Sequence, residues 1–158
     1  MKIIYSVLIV ILILLAAAGY NYSYSAAGSR KLRDGYYTAE AAEYIHGWKE
    51  FITIYVNNGR IVTAEYNAKN RSGLIKSWDM DYMRVMNETD GNYPNRYARG
   101  YASALIANQS TERIDAMSGA TESYRSFMLL ADAVITQAKA GDKSVAFVNV
   151  PEPGQAGR

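Results

Sequence analysis

The stretch KEFITIYVNNGRIVTAEYNA, residues 49–68, constrains the fold of this chain more than any other. Ile52, Ile54 and Val56 alternate with residues of the opposite face, which is the period of a strand with one buried side. Asn58-Gly59 is the residue pair that best tolerates the positive φ angles of a two-residue hairpin turn. The sequence therefore predicts an antiparallel hairpin, with the core built on one of its faces.

The segments on either side of the hairpin complete a mixed pattern. GYYTAEAAEYI (35–45) alternates imperfectly and predicts a first strand, whereas SWDMDYMRVM (77–86) and NRYARGYASALIANQ (95–109) carry apolar residues at helical spacing. SVAFVNV (144–150) is compatible with a short strand or with a surface segment. This order favours an α+β domain, with a mainly antiparallel sheet packed against helices.

The clearest helix is predicted immediately before Gly141, a residue type that commonly ends helices. Its apolar residues recur at intervals of three and four, which produces a broad stripe along one side. The stripe consists of Tyr124, Phe127, Met128, Ala131, Val134, Ile135 and Ala138. We expect this helix to pack against the core.

The N-terminus carries an uninterrupted apolar run, IIYSVLIVILILLAAA, which follows Lys2. A run of this length and position is typical of a secretory signal or a signal anchor. Small residues near its end offer cleavage sites, so cleavage and release is the alternative to a retained anchor. We expect a signal anchor or transmembrane segment, a polar tether, a folded domain and a C-terminal tail, over 1–20, 21–33, 34–141 and 142–158.

Composition excludes several classes of function. The 158 residues include no cysteine and one histidine, which excludes thiolate metal sites, iron–sulfur clusters, c-type haem and a lipid-modified cysteine. No metal site is predicted. A net charge of +2 without a basic stripe gives no support to nucleic-acid binding. If the protein carries out redox chemistry, an organic cofactor must supply it.

The stretch DAMSGATESYRSF joins a turn of small residues to the start of the last helix. Gly119 and Ala120 let other groups approach the backbone closely, and the first N–H groups of a helix favour an anion. The Thr121 hydroxyl falls at this position, so a phosphodiester could be attached there, with Asp115 holding a metal or tying down the loop. The alternative is structural: Ser118 or Thr121 caps the helix, and the small residues relieve crowding.

The motif Asp115-x-x-Ser118-Gly119-Ala120-Thr121 resembles the Asp-x-x-Ser/Thr-Gly-Ala-Thr motif of the bacterial FMN-binding domain family. DGYYTAE…GWKEFITIYVNNGRI and LIKSWDMDYMRVM are similar to other segments of its exported single-domain members, so the resemblance extends over residues 34–141. The family includes the C subunit of sodium-translocating NADH:quinone reductase and the G subunit of Rnf complexes. In it a flavin transferase uses FAD and magnesium to join FMN, through its phosphate, to the threonine.

This resemblance implies covalent FMN on Thr121, with Asp115, Ser118, Gly119 and Ala120 as recognition and phosphate-loop positions. It also implies a secondary set of residues around the flavin, namely Trp48, Lys49, Lys76, Ser77 and Met86. The lysines of that set would stabilise negative charge on a reduced flavin, and the aromatic side chain would offer a flat contact.

The predicted protein is therefore an extracytoplasmic electron-transfer flavoprotein, tethered to a bacterial cell membrane. It would carry electrons between a membrane redox donor and an extracytoplasmic acceptor. It would be the substrate of the flavin transferase rather than an enzyme, since no second nucleotide motif or acid–base constellation indicates a reductase. The alternative is a surface binding or interaction module of the same fold, without covalent flavin and with Thr121 as a helix cap.

Overall fold

The structure is a computed structural model that describes residues 31–152. The predicted anchor, most of the predicted tether and the last six residues of the predicted tail lie outside this range. No helix within 31–152 combines the length and the apolar character needed to cross a membrane. Within the described range, residues 32–152 belong to one folded unit, in which the backbone N–H of Arg33 donates to the Ala138 carbonyl at 2.9 Å.

A four-stranded sheet, in the order β3-β2-β1-β4, organises the described part of the chain. The strands β1 (Gly35–Ala41), β2 (Lys49–Asn57) and β3 (Arg60–Lys69) pair antiparallel, and β4 (Ala146–Val148) pairs with β1 in parallel. The predicted hairpin is confirmed, with Asn58 and Gly59 at φ values of 53° and 73°. Two of the three strand pairings are antiparallel, and the parallel pairing of β4 with β1 makes the sheet mixed.

The sheet has one buried face and one open face. Ile52 and Ile54 of β2 and Tyr37 of β1 are at most 1% exposed on the buried face. On the open face, Tyr36 stacks against Tyr55 with ring centroids 4.5 Å apart. This division follows the alternation in the sequence, because successive strand residues point to opposite sides of a sheet.

Three helices follow the hairpin within the described residues: α1 (Met80–Asp90), α2 (Pro94–Asn108) and α3 (Thr121–Ala140). α3 packs against β1 and β2 on the buried face, and α2 packs against β3. The apolar stripe predicted on α3 is confirmed, because its central residues, from Phe127 to Ala138, belong to the core. The predicted α+β class is confirmed.

The segment predicted as a helix over 77–86 has a different form. It opens with a 3-10 turn (Lys76–Trp78), and α1 begins only after Asp79, whose Oδ1 accepts the Tyr82 N–H at 2.9 Å. α1 has no buried residue, and Trp78 is 70% exposed. The helical spacing of apolar residues here therefore belongs to a helix lying on the surface.

The first strand is shorter than predicted, because the chain turns after Ala41. Residues 42–48 form a loop in which His46 and Gly47 have positive φ values of 48° and 85°. A bridge between Ile45 and Trp48 closes this turn. The loop brings Trp48 to the start of β2, at one end of the buried face.

Candidate functional site

A cavity of about 380 Å³ lies where the start of β2 meets the first turn of α3. Its wall is built from the loop before β2, β2 itself, the 3-10 turn and all three helices. The residues that give it its chemical character are Trp48, Glu50, Lys76, Tyr82, Met86, Tyr97 and Thr121. This volume falls within the range of about 300–1,000 Å³ that is usual for small-molecule sites.

The cavity gathers six of the ten predicted site residues. They come from three separate parts of the sequence and are Trp48, Lys76, Met86, Gly119, Ala120 and Thr121. The structure therefore brings the threonine of the motif together with three members of the predicted secondary set. The other four predicted residues do not line this cavity.

Two of these four lie elsewhere for reasons that the fold makes clear. Lys49 points to the open face of the sheet, because it alternates with Trp48 and Glu50, and its Nζ lies 5.4 Å from the centroid of the Phe147 ring. Ser77 is buried beside β3, where its Oγ accepts a hydrogen bond from Asn67 Nδ2 at 2.8 Å. Ser77 thus fixes the 3-10 turn to the sheet.

The side chains of Asp115 and Ser118 are exposed, and the Ser118 residue enters the local structure through its backbone. The Nδ2 of Asn92, which is 4% exposed, donates to the Ser118 carbonyl at 2.8 Å. From within the core, Tyr101 Oη accepts the Met117 N–H at 3.0 Å and donates to the Ala120 carbonyl at 3.3 Å. These contacts hold the chain on both sides of Gly119 in a fixed path.

Packing accounts for the two small residues of the motif. Gly119 has a φ of 73°, and a Cβ there would overlap the carbonyl oxygen of Asp90 and lie 3.1 Å from Asn92 Cβ. Ala120 is 5% exposed and belongs to the core. The expectation that these residues relieve crowding is therefore correct, and it explains them without any ligand.

Packing does not account for Thr121. The N-cap of α3 is Ala120, at φ −138° and ψ 29°, and no side chain caps this helix. Among the described residues, neither the Ser118 hydroxyl nor the Thr121 hydroxyl makes a hydrogen bond. The capping interpretation is therefore wrong for both. An exposed hydroxyl remains at the end of the helix where N–H groups lack internal partners and the helix dipole favours negative charge.

A carboxylate and an ammonium group share the cavity. Burial raises the pKa of Glu50, and the Ser126 hydroxyl and the Lys76 ammonium oppose this rise without cancelling it. Burial lowers the pKa of Lys76, but the oxygens of Tyr97, Tyr82 and Glu50 outweigh burial, and the pKa ends above its ordinary value. Lys76 therefore keeps its positive charge at neutral pH.

Lys76 also lies against the aromatic part of the wall. Its Nζ is 5.1 Å from the centroid of the Tyr82 ring and 5.8 Å from that of Trp48. The two rings are 5.9 Å apart and inclined by 56°. The cavity thus combines flat aromatic surface with a fixed cation, which suits a planar ligand that carries or gains negative charge.

Sequence reasoning missed Glu50, Tyr97 and Asn92. A signal for Glu50 was present, because Glu50 shares the parity of Ile52 and Ile54 and so had to face inward. No local signal indicated that Asn92 would hold residue 118, since the two are 26 positions apart. Within residues 31–152, no group of three or more histidine or carboxylate side chains could hold a metal ion.

No family model matches this sequence. It is 33% identical over 119 residues to the 15 kDa lipoprotein of Treponema pallidum (strain Nichols), over 75% of this chain and 84% of that protein. Its structure is similar to the crystal structure of the CPE2226 protein from Clostridium perfringens. That similarity has a TM-score of 0.73 and a sequence identity of 36%, and it covers 76% of this chain and 99% of the other.

Proposed function

This chain belongs to the family of the 15 kDa lipoprotein of Treponema pallidum, and we propose that it is a membrane-tethered electron carrier with FMN bound covalently to Thr121. The link is a phosphoester between the FMN phosphate and the threonine hydroxyl, and a flavin transferase that uses FAD and magnesium makes it. On this proposal the family is part of the bacterial FMN-binding domain family.

One observation carries the proposal: Thr121 lines the cavity, at a helix N-terminus that no side chain caps. A hydroxyl that served the fold would be expected to bond a backbone group, and that of Thr121 does not. A phosphodiester on Thr121 keeps one negative charge beside the first N–H groups of α3. The helix dipole stabilises such a charge by about 0.3–1 kcal/mol.

The residues around the cavity fit FMN. The first turn of α3 would hold the phosphate, and Trp48, Tyr82 and Met86 would contact the isoalloxazine ring. Lys76 supplies a permanent positive charge near the ring position. When bound, FMN supplies reversible uptake of one or two electrons, and the protein supplies position, charge and partial exclusion of water.

The name of the Treponema relative supports a place at a membrane, because a lipoprotein is held there by its lipid. This chain has no cysteine to carry such a lipid, so we assign the tether to the apolar run at residues 3–18. The folded domain would then lie on the extracytoplasmic side of a bacterial cell membrane. A tether confines the carrier near a membrane redox donor and raises their effective concentration, and electrons leave to an extracytoplasmic acceptor.

The test is to co-express the full chain with a flavin transferase and to measure intact mass and in-gel flavin fluorescence after denaturation. The wild type should gain one FMN, and Thr121→Ala should gain none. Thr136→Ala is the matched control, because Thr136 is an exposed threonine on the same helix whose hydroxyl bonds the Asp132 carbonyl at 2.8 Å. It should carry as much FMN as the wild type.

Circular dichroism and the thermal midpoint of all three proteins show whether loss of flavin reflects loss of folding. The proposal fails if the wild type stays unmodified while the same transferase modifies another member of the FMN-binding family. It also fails if Thr121→Ala keeps the adduct. An unmodified wild type would favour the surface-module alternative, with the cavity as its binding site.

A further inference from the structure

Glu50 is a carboxylate on the core-facing row of β2. The following members of that row, Ile52, Ile54 and Val56, are fully buried, so Glu50 stands where the apolar interior opens into the cavity. Thr121 borders the same cavity from α3. Packing alone does not require an ionisable side chain at this place, since a glutamine would fill the same space.

The groups that act on Glu50 come from every element around it. Lys76 of the 3-10 turn and the Ser126 hydroxyl of α3 favour its charged form, and so does the Tyr66 hydroxyl of β3, while Tyr97 of α2 interacts with it electrostatically. The other titratable groups of the cavity wall are Glu43, His46, Tyr82, Asp90 and Glu122.

Within this set, Glu50 and Lys76 respond differently to solvent pH. Lys76 holds its proton throughout the neutral range, because the oxygens around it raise its pKa. Burial raises the pKa of Glu50 instead, and this brings its titration closer to neutral pH. Of the two, Glu50 is therefore the group whose proton occupancy can change when the charge in the cavity changes.

Building on the proposed function, we propose that Glu50 is a proton acceptor of the cavity that compensates the charge of the reduced flavin. Two electrons from the donor and one proton that the flavin itself takes from water would leave one net negative charge on the flavin, and the Glu50 carboxylate then takes a second proton from water and forms an O–H bond. On reoxidation the electrons leave to the acceptor, the O–H bond of Glu50 breaks, and both protons return to water.

The physical reason is the repulsion between like charges in a partly dry site. A second negative charge in the cavity disfavours the Glu50 carboxylate and therefore strengthens its hold on a proton. Between the pH at which Glu50 titrates beside oxidised flavin and the higher pH beside reduced flavin, reduction draws in an additional proton. In that interval the midpoint potential falls more steeply with pH than it would without Glu50.

The experiment is an electrochemical titration of the flavinylated full chain from pH 5 to 9, which extends to both sides of neutral pH. Between the pH at which Glu50 titrates beside oxidised flavin and the pH at which it titrates beside reduced flavin, Glu50→Gln should take up fewer protons than the wild type, by up to one for every two electrons, and outside that interval the two should agree. Glu40→Gln is the control, because Glu40 lies on the open face and pairs with Lys69 at 2.7 Å. It should follow the wild type.

A second measurement needs no flavin. Infrared titration of unmodified wild-type chain, with Glu50→Gln subtracted, should show a carboxyl that loses its proton above the ordinary range of glutamates. A Glu50 that titrates in the ordinary range overturns the inference. This outcome can be read even if Glu50→Gln fails to fold, because the wild-type signal then contains no carboxyl that titrates above the ordinary range of glutamates.

The outcomes separate this inference from the proposed function. If intact mass shows no adduct, the proposed function fails and Glu50 has no reduced flavin to compensate. If the adduct forms and Glu50→Gln follows the wild-type potential at every pH, the flavoprotein stands and the role of Glu50 is refuted. Lys76→Met sharpens a positive result, because removing the cation should move the steep interval to higher pH.

Discussion

The backbone groups at the two ends of α3 are hydrogen-bonded in different ways. At the C-terminal end, the N–H groups of Gly141 and Asp142 both donate to the Gln137 carbonyl, at 2.7 and 3.1 Å, and the Arg33 N–H donates to the Ala138 carbonyl. At the N-terminal end no side chain caps the helix. Glu122, the acidic residue of the first turn, pairs with Arg125 at 3.1 Å instead.

This difference indicates which end of the helix serves the fold and which end is open to a ligand. A helix end is normally satisfied by side chains, by the following chain, by water or by a ligand. The C-terminal end is satisfied by the following chain and leads directly into β4. The N-terminal end opens on a cavity that also holds Lys76 and Glu50, so a bound anion would complete it.

The largest effect is expected from a glycine at the N-terminal end. Gly119→Ala should lower the free energy of unfolding by about 2–4 kcal/mol, because Cβ would overlap a backbone carbonyl at a positive φ. Gly141→Ala should cost about half as much, since its φ is the same and its nearest neighbour is the flexible Arg33 side chain. Urea denaturation of both variants measures the difference.

Gly73→Ala separates the overlap from the backbone strain. Gly73 has a φ of 87°, and a Cβ there would meet nothing within 4 Å. Its loss of stability therefore reports the strain alone. Equal losses at residues 73 and 119 would show that the path beside Asp90 is not tightly packed, and the fixed position of Thr121 would lose its physical basis.

The next effect is the pH dependence of stability, which should have opposite signs for Glu50, in the cavity at the N-terminal end of α3, and for Asp142, just after its C-terminal end. Burial raises the pKa of Glu50 above its ordinary value of 4.5, so the folded protein holds this proton more tightly than the unfolded one. Stability from this group is greatest below pH 4.5 and is lost as pH rises through the folded-state pKa. Glu50→Gln should therefore lose less stability than the wild type over the same rise.

At the other end, the Ser144 N–H donates to Asp142 at 2.9 Å and holds the pKa of that carboxyl below its ordinary value of 3.8. Stability from Asp142 is present above pH 3.8 and is lost as pH falls through the folded-state pKa. Asp142→Asn should therefore lose less stability than the wild type as pH falls in this acidic range. The difference should be small, because the group is exposed. Thermal midpoints across pH for both variants check the signs, and a shared sign would contradict the burial assigned to Glu50.

Local patterns were enough to predict the hairpin and α3. The alternation in β2 and the apolar stripe of α3 report which side of each element is buried, and that property depends on neighbours in sequence. For α1 the same pattern predicted a helix but not its start or its exposure, because Trp78 lies in the 3-10 turn before it and no residue of α1 is buried. The spacing of apolar residues indicates which side of a helix is apolar, but it does not indicate whether that side packs against the core or borders a cavity.

The site was harder to predict because its parts meet only in three dimensions. The motif identified Thr121 and the turn of small residues before it, and the alternation in β2 contained the signal for Glu50. The hydrogen bond from Asn92 to residue 118 and the position of Gly119 beside Asp90 join distant segments. Those contacts fix Ala120 as the N-cap, so sequence alone could not tell whether the nearby hydroxyls cap the helix.

The smallest effect on stability is expected at the residue with the largest expected effect on flavin content. Without flavin, Thr121→Ala should change the free energy of unfolding by less than about 0.5 kcal/mol, because the hydroxyl bonds nothing in the described structure. Asp79→Ala is the comparison, since Asp79 caps α1 through the Tyr82 N–H, and its loss should cost about 1 kcal/mol. Urea denaturation of the unmodified proteins measures both. A loss at Thr121 as large as at Asp79 would mean that the α3 N-terminus is capped after all, and the two ends of α3 would no longer differ.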